Sequence, residues 1–199
     1  MGNAALEAIS KRRTQYALGR NLALGQDEIT ALIQEAVRLS PSSFNSQSSR
    51  ALILFGAQSE KFWGLVTESL RPMVPAEAFA NTEKKLAGFA AGVGTVLFYE
   101  DQDVVKGLQE QFALYADNFP VWSEHGTGIA QFAVWTTLAN AGIGASLQHY
   151  NPVVDAAAAK QWDIPASWKL RAQMPFGSNE APFDDKSFID DATRFKVFG

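Results

Sequence analysis

Ser40-Pro41-Ser42-Ser43-Phe44-Asn45-Ser46-Gln47 places four hydroxyls and two side-chain amides within eight residues, between a helical pattern and the apolar stretch 50–55. Such a cluster can be a turn that satisfies its own backbone, because Ser and Asn bond locally. It can equally be a row of donors and acceptors for a polyhydroxylated ligand. Lys11-Arg12-Arg13-Thr14 sets three cations before a hydroxyl. Placed at a helix end, these cations complement the helix dipole; they also make a phosphate clamp, with Arg offering a planar fork of donors. Near the other terminus Arg194 and Lys196 alternate with Phe195 and Val197.

Other chemistries lack their residues. The chain has no cysteine, which removes disulfides, thiolate metal sites and thiol nucleophiles together. Its two histidines, His125 and His149, are too few and too far apart for a zinc helix, and no metal site is expected. His125 sits among aromatics and is expected to be packed and satisfied. No Gly-x-Ser-x-Gly elbow occurs. A net charge of −4 gives no general reason to bind nucleic acid or an anionic membrane. No apolar run approaches the ~20 residues of a membrane span, and the first ten residues lack a signal-peptide core. The expectation is a cytoplasmic protein. At 199 residues, 47% apolar and 19% charged, the chain suits one globular domain, 1–199.

Four stretches resemble the FMN-dependent nitroreductase family, in its fatty-acid-repression and hydroxybenzoate-nitroreductase branch. Pro41-Ser42-Ser43-Phe44-Asn45-Ser46-Gln47 is similar to that family's P-S-S-x-N-x-Q signature, and Lys11-Arg12-Arg13-Thr14 to its N-terminal Arg-Arg-Ser element. Leu147-Gln148-His149-Tyr150-Asn151-Pro152 resembles the branch, and Arg194-Phe195-Lys196 the basic C-terminal arm. The resemblance implies FMN as cofactor, with Arg12, Arg13, Arg194 and Lys196 toward its phosphate. It implies Thr14, Ser42, Ser43 and Asn45 toward ribityl and phosphate, and Pro41 and Leu147 toward the ring. Gln47 would serve the pyrimidine end or the facing subunit. Gln148 and His149 would lie along the flavin edge, where a main-chain N–H rather than the imidazole is the useful group. The implied activity passes two electrons from NAD(P)H to a nitroaromatic or quinone by a ping-pong mechanism, in a homodimer. Two other readings stand beside it: a flavin-binding regulatory or stress-response protein with little turnover, and a helical interaction module whose Ser/Asn loop is structural. The chain departs from the family pattern at Tyr16, where a further Arg is usual, and at His149-Tyr150, where larger members carry a glutamate-glycine pair.

The elements that must position these residues follow from periodicity. Helices are expected over 3–12, 26–39, 60–70, 76–91, 127–141 and 153–162, the second with Ile29, Leu32, Ile33, Ala36 and Val37 repeating at three and four. Asp101 should cap another that runs to about Tyr115. Apolar strands are expected over 51–55 and 95–99, buried on both faces, with shorter ones at 145–148 and at 169–174, the last stopped by Pro175-Phe176-Gly177. Asn118–Trp122 reads as an aromatic-rich break, a lid or a packed turn. The tail's period of two reads as a strand. Helices separating few strands give α+β or α/β, a small central sheet wrapped by helices; the resemblance implies the α+β version. The resemblance adds a C-terminal strand arm exchanged within the dimer.

Overall fold

The computed structural model describes residues 2–199. Its sheet has five antiparallel-paired strands: β1 (Leu18–Gly19), β2 (Ser49–Phe55), β3 (Gly94–Asp101), β4 (Gly144–Ala145) and β5 (Trp168–Asn179). The order is β1-β5-β3-β2, with β4 also on β5. Around it lie α1 (Ala4–Lys11), α2 (Gln26–Arg38), α3 (Ala57–Leu70), α4 (Ala76–Ala90), α5 (Gln102–Gln111), α6 (Phe119–Asn140), α7 (Asp155–Trp162) and α8 (Asp191–Arg194).

Successive strand residues point to opposite faces, so a central strand with apolar side chains on both must be covered twice. Along β3, Val96 and Phe98 enter one core with Ile29 and Ile33 of α2 and Val134 and Leu138 of α6. Leu97 and Tyr99 enter a second core with Phe62 and Trp63 of α3, Leu86 and Phe89 of α4, and Ala158 of α7. Burying one such large apolar side chain stabilises the fold by about 1.5–3 kcal/mol. This is the α+β arrangement expected, a small sheet wrapped by helices.

Several elements differ from expectation. β2 is half-buried rather than buried on both faces, because it is an edge strand with β3 as its neighbour. β5 runs straight through Pro175-Phe176-Gly177 to Asn179, since Met174 and Phe176 are buried in the first core and burial outweighs local turn preference. Gly177 is a close-approach position instead: a Cβ there would lie 2.3 Å from the Gly19 carbonyl oxygen. Asp101 does cap α5, accepting from the Asp103 N–H at 3.2 Å, but that helix ends at Gln111 and a 3-10 turn, Ala113–Asn118, follows. Asn118–Trp122 is not a break. It opens the 22-residue α6, with Pro120 in the first turn, where a missing N–H costs nothing. The strand expected over 145–148 shortens to β4, with Gln148 rejoining the sheet in a single bridge to Gln173. α7 begins at Asp155, after a turn that holds Pro152. His125 is exposed rather than packed. The tail forms no strand: Asp190 accepts from the Ala192 N–H at 2.7 Å, starting the turn of α8, and 195–199 are exposed and unpaired with any sheet edge. Among the described residues, no helix is long and apolar enough to cross a membrane.

Candidate functional site

The chain leaves α1 through Arg12 in extended conformation. Thr14 then bridges to Ala145 of β4, and the Gln15 N–H donates to the Ala145 carbonyl at 2.9 Å. The basic element is thereby fixed beside the turn that follows β4. The Arg12 guanidinium lies over Trp135 of α6, 4.4 Å from the ring centroid. Arg13 turns the other way, donating to the Asp184 carbonyl and facing the Phe183 ring at 5.9 Å. Thr14 is exposed.

The Leu147–Asn151 turn is held by Gln173, a fully buried β5 residue. Main-chain bonds join it to Gln148 in both directions, at 2.7 and 2.9 Å. Its side-chain oxygen accepts from the Tyr150 N–H at 2.6 Å, and its amide donates to Asn151 at 3.1 Å. The Gln148 amide donates to the Ser146 hydroxyl at 3.0 Å. Thus the N–H groups on either side of His149 are bonded within the chain, while no hydrogen bond among the described residues uses that of His149. The His149 side chain is exposed and Leu147 half-buried.

Beside this turn opens a cleft of about 600 Å³ lined by Tyr16, Ala17, Asn81, Lys84, Lys85, Gly88 and Phe89. The Tyr16 and Phe89 rings lie 6.4 Å apart, and the buried Phe89 ring lies 6.5 Å from that of Tyr150 in the turn. Asn81, Lys84, Lys85 and Gly88 repeat at three and four and share one face of α4. Burial raises the Tyr150 pKa above the ordinary phenol value. Sequence reasoning missed Asn81, Lys84, Lys85 and Gln173. The signal for the α4 residues was an amide and two cations on one helical face, which also describes an ordinary solvated face.

The Ser/Asn loop stands apart. The Ser42 hydroxyl accepts from the Gln47 N–H at 2.9 Å, so part of the cluster does satisfy its own turn. Phe44, Asn45 and Gln47 take positive φ values of 56°, 50° and 49°. For non-glycine residues this costs on the order of 1 kcal/mol or more each, and it persists where surroundings enforce it. The Phe44 ring packs on Phe112 (4.8 Å), Phe119 (5.3 Å) and Trp122 (6.1 Å), leaving Asn45 and Gln47 exposed. Pro41, Ser42 and Gln47 line a second cleft of about 220 Å³ with Arg38 and Arg50, which shares no lining residue with the first. Ser43 is half-buried.

The predicted residues therefore fall into three groups. Thr14, Leu147, Gln148 and His149 are brought together by β4 and Gln173, with Arg12 and Arg13 on the same segment as Thr14, the first over Trp135 and the second toward Asp184. Pro41, Ser42, Ser43, Asn45 and Gln47 form a separate surface. Arg194 and Lys196 lie on the exposed tail, where Arg194 faces only the neighbouring Phe195 ring, at 5.6 Å. Among the described residues no cluster of His, Asp and Glu has metal-holding geometry.

Fold and sequence agree on the class. Residues 9–178 match the Nitroreductase family, and the chain belongs to it. Among curated proteins it is similar to nitroreductase FRM2 of Saccharomyces cerevisiae, 34% identical over 187 residues that cover 93% of each chain. Among solved structures it is similar to nitroreductase CinD of Lactococcus lactis. The CinD complex with nicotinic acid superposes with a TM-score of 0.93 at 54% identity, covering 98% of this chain and all of that one. The CinD complex with 4-nitrophenol gives 0.90 at the same identity, again over 98% of this chain and all of that one. A nitroreductase with bound FMN from Desulfitobacterium hafniense shares the fold, with a TM-score of 0.72 at 15% identity over the whole of both chains. The family makes the protein an oxidoreductase.

Proposed function

We propose that the chain is a single FMN-binding domain of a cytoplasmic homodimer that passes two electrons from NAD(P)H to nitroaromatic or quinone acceptors. The observation that carries this reading is the cleft lined by Tyr16 and α4, whose Phe89 ring meets Tyr150 of the turn that leaves the His149 N–H unused. Its residues fit FMN. Lys84, Lys85 and Arg12 offer cations for a phosphate, and Thr14 and Asn81 offer a hydroxyl and an amide for ribityl oxygens. Tyr16 and Phe89 are apolar walls, and the His149 N–H is a fixed donor for the ring edge. When bound, FMN supplies the hydride chemistry; the protein holds and orients it. Donor and acceptor would occupy one open ring face in turn, giving ping-pong kinetics. CinD's complexes with nicotinic acid and 4-nitrophenol support both occupants.

The Ser/Asn loop and the tail reach this cleft through a second copy in this reading. Pro41, Ser42, Ser43, Asn45 and Gln47 would complete the facing subunit's site, and Arg194 and Lys196 would follow on an exchanged arm. Purified protein should carry a flavin spectrum and reduce 4-nitrophenol-like or quinone acceptors with NADH or NADPH in the steady state. Flavin without turnover would favour a regulatory or stress-response role. Colourless protein that takes up no FMN would contradict both.

A further inference from the structure

Glu100, near the end of β3, is fully buried, and among the described residues no cation pairs with it. Its carboxyl is met by three hydroxyls instead. Ser48 donates to Oε2 at 2.6 Å and Ser123 to the same oxygen at 2.8 Å, while Ser49 donates to Oε1. Ser48 and Ser123 are themselves buried. Ser48 is also 3.5 Å from the Ser46 hydroxyl, and its carbonyl accepts from the Asp101 N–H at 3.0 Å.

Three elements meet at this one side chain. Ser48 and Ser49 directly follow the Ser42–Gln47 loop with its three positive-φ residues. Ser123 lies in α6 one turn after Phe119, which packs on the Phe44 ring. A buried carboxyl is costly unless its oxygens are satisfied, and an apolar residue would fill the same space more cheaply. The β3 backbone at Glu100 pairs with β2 and β5, but its side chain lines no part of the cleft beside α4. What it does hold is the base of a strained loop, against β3 on one side and α6 on the other.

We propose that Glu100 is a positioning residue: through Ser48, Ser49 and Ser123 it sets the conformation in which the Ser42–Gln47 loop meets a cofactor. This rests on the FMN reading given above. Glu100→Gln keeps the shape but leaves one acceptor oxygen for three donors, so at least one serine must turn or go unpaired. Ser123→Ala removes one strut with little change of volume, and it serves if the first variant folds poorly.

The test titrates FMN into flavin-free wild type, Glu100→Gln and Ser123→Ala, alone and combined with Asn45→Ala or Lys84→Ala. A hydrogen bond that shapes the loop predicts FMN affinity weaker by about tenfold in the Glu100 and Ser123 variants. Their losses should be non-additive with Asn45→Ala, which lies on the same loop, and additive with Lys84→Ala in the other cleft. A merely structural role would lower thermal stability and add equally with both. That outcome overturns the proposal, as does unchanged affinity in both variants beside a wild type that binds FMN. A wild type that binds no FMN overturns the cofactor reading first, and this inference with it.

Discussion

Lys84 is the single side chain on which cofactor retention is expected to depend most within one chain. It is exposed at the mouth of the larger cleft, three residues from Asn81 on the same helical face. A charge-assisted contact is worth roughly 1.5–3 kcal/mol, so Lys84→Ala should weaken FMN binding about ten- to a hundredfold with the fold intact. Fluorescence titration checks this, and unchanged affinity would contradict it. Asp155 is a second informative residue. Burial raises its pKa, with Arg171 and Lys169 pulling the other way, and its buried Oδ1 has no partner. A raised pKa means the folded chain holds the proton more tightly than the unfolded one. Its contribution to stability is thus fullest at acid pH and is lost as pH rises through the folded value. Asp155→Asn mimics the protonated form, so it should raise Tm at neutral pH and lose that advantage below the carboxylate range. A Tm difference independent of pH would refute the assignment. Residues of this kind were hard to read in advance. Asn81 and Lys84 look like solvated helix positions, and Glu100 and Gln173 look like polar ends of strands, because their partners lie far away in sequence.

Elements were more legible, and the misses have physical causes. Helical periodicity places α2 closely, and Pro72 and Pro75 mark where α3 ends and α4 begins. Local sequence ends β5 too early because Pro-Phe-Gly reads as a turn, whereas the first core holds Phe176 and the glycine admits β1 at close range. Gly177→Ala tests that reason. Its Cβ would meet the Gly19 oxygen at 2.3 Å and the Gly92 Cα at 3.1 Å, both backbone atoms that cannot step aside. A loss on the order of 1–3 kcal/mol is expected, seen as a lower Tm. An unchanged Tm would show that glycine is dispensable there. The start of α6 is hidden for a related reason: Asn-Phe-Pro suggests interruption, yet proline is well placed in a first helical turn.

At the scale of the molecule, one chain leaves features without a partner. α6 exposes Val121, Ile129 and Phe132, and the tail exposes Phe188, Ile189, Phe195, Val197 and Phe198. Exposed apolar residues of this kind are what the proposed second copy would cover. The tail's alternation of cation and apolar residue was legible, but a strand needs a neighbouring edge, and within one chain none reaches it. With a homodimer in which that arm is exchanged, deletion of Thr193–Gly199 should lower both flavin content and dimer stability. Sedimentation of the truncated protein as an unaltered, fully flavinylated dimer would contradict the exchange.

The central claim, transfer of two electrons from a reduced nicotinamide through bound FMN, is tested most directly by anaerobic titration of FMN-loaded protein followed at the visible flavin band. The expected result is bleaching by one equivalent of NADH or NADPH per bound FMN, and recovery of the band on adding one equivalent of quinone. A chain that takes up no FMN, or a flavin band that neither nucleotide bleaches, would contradict the account.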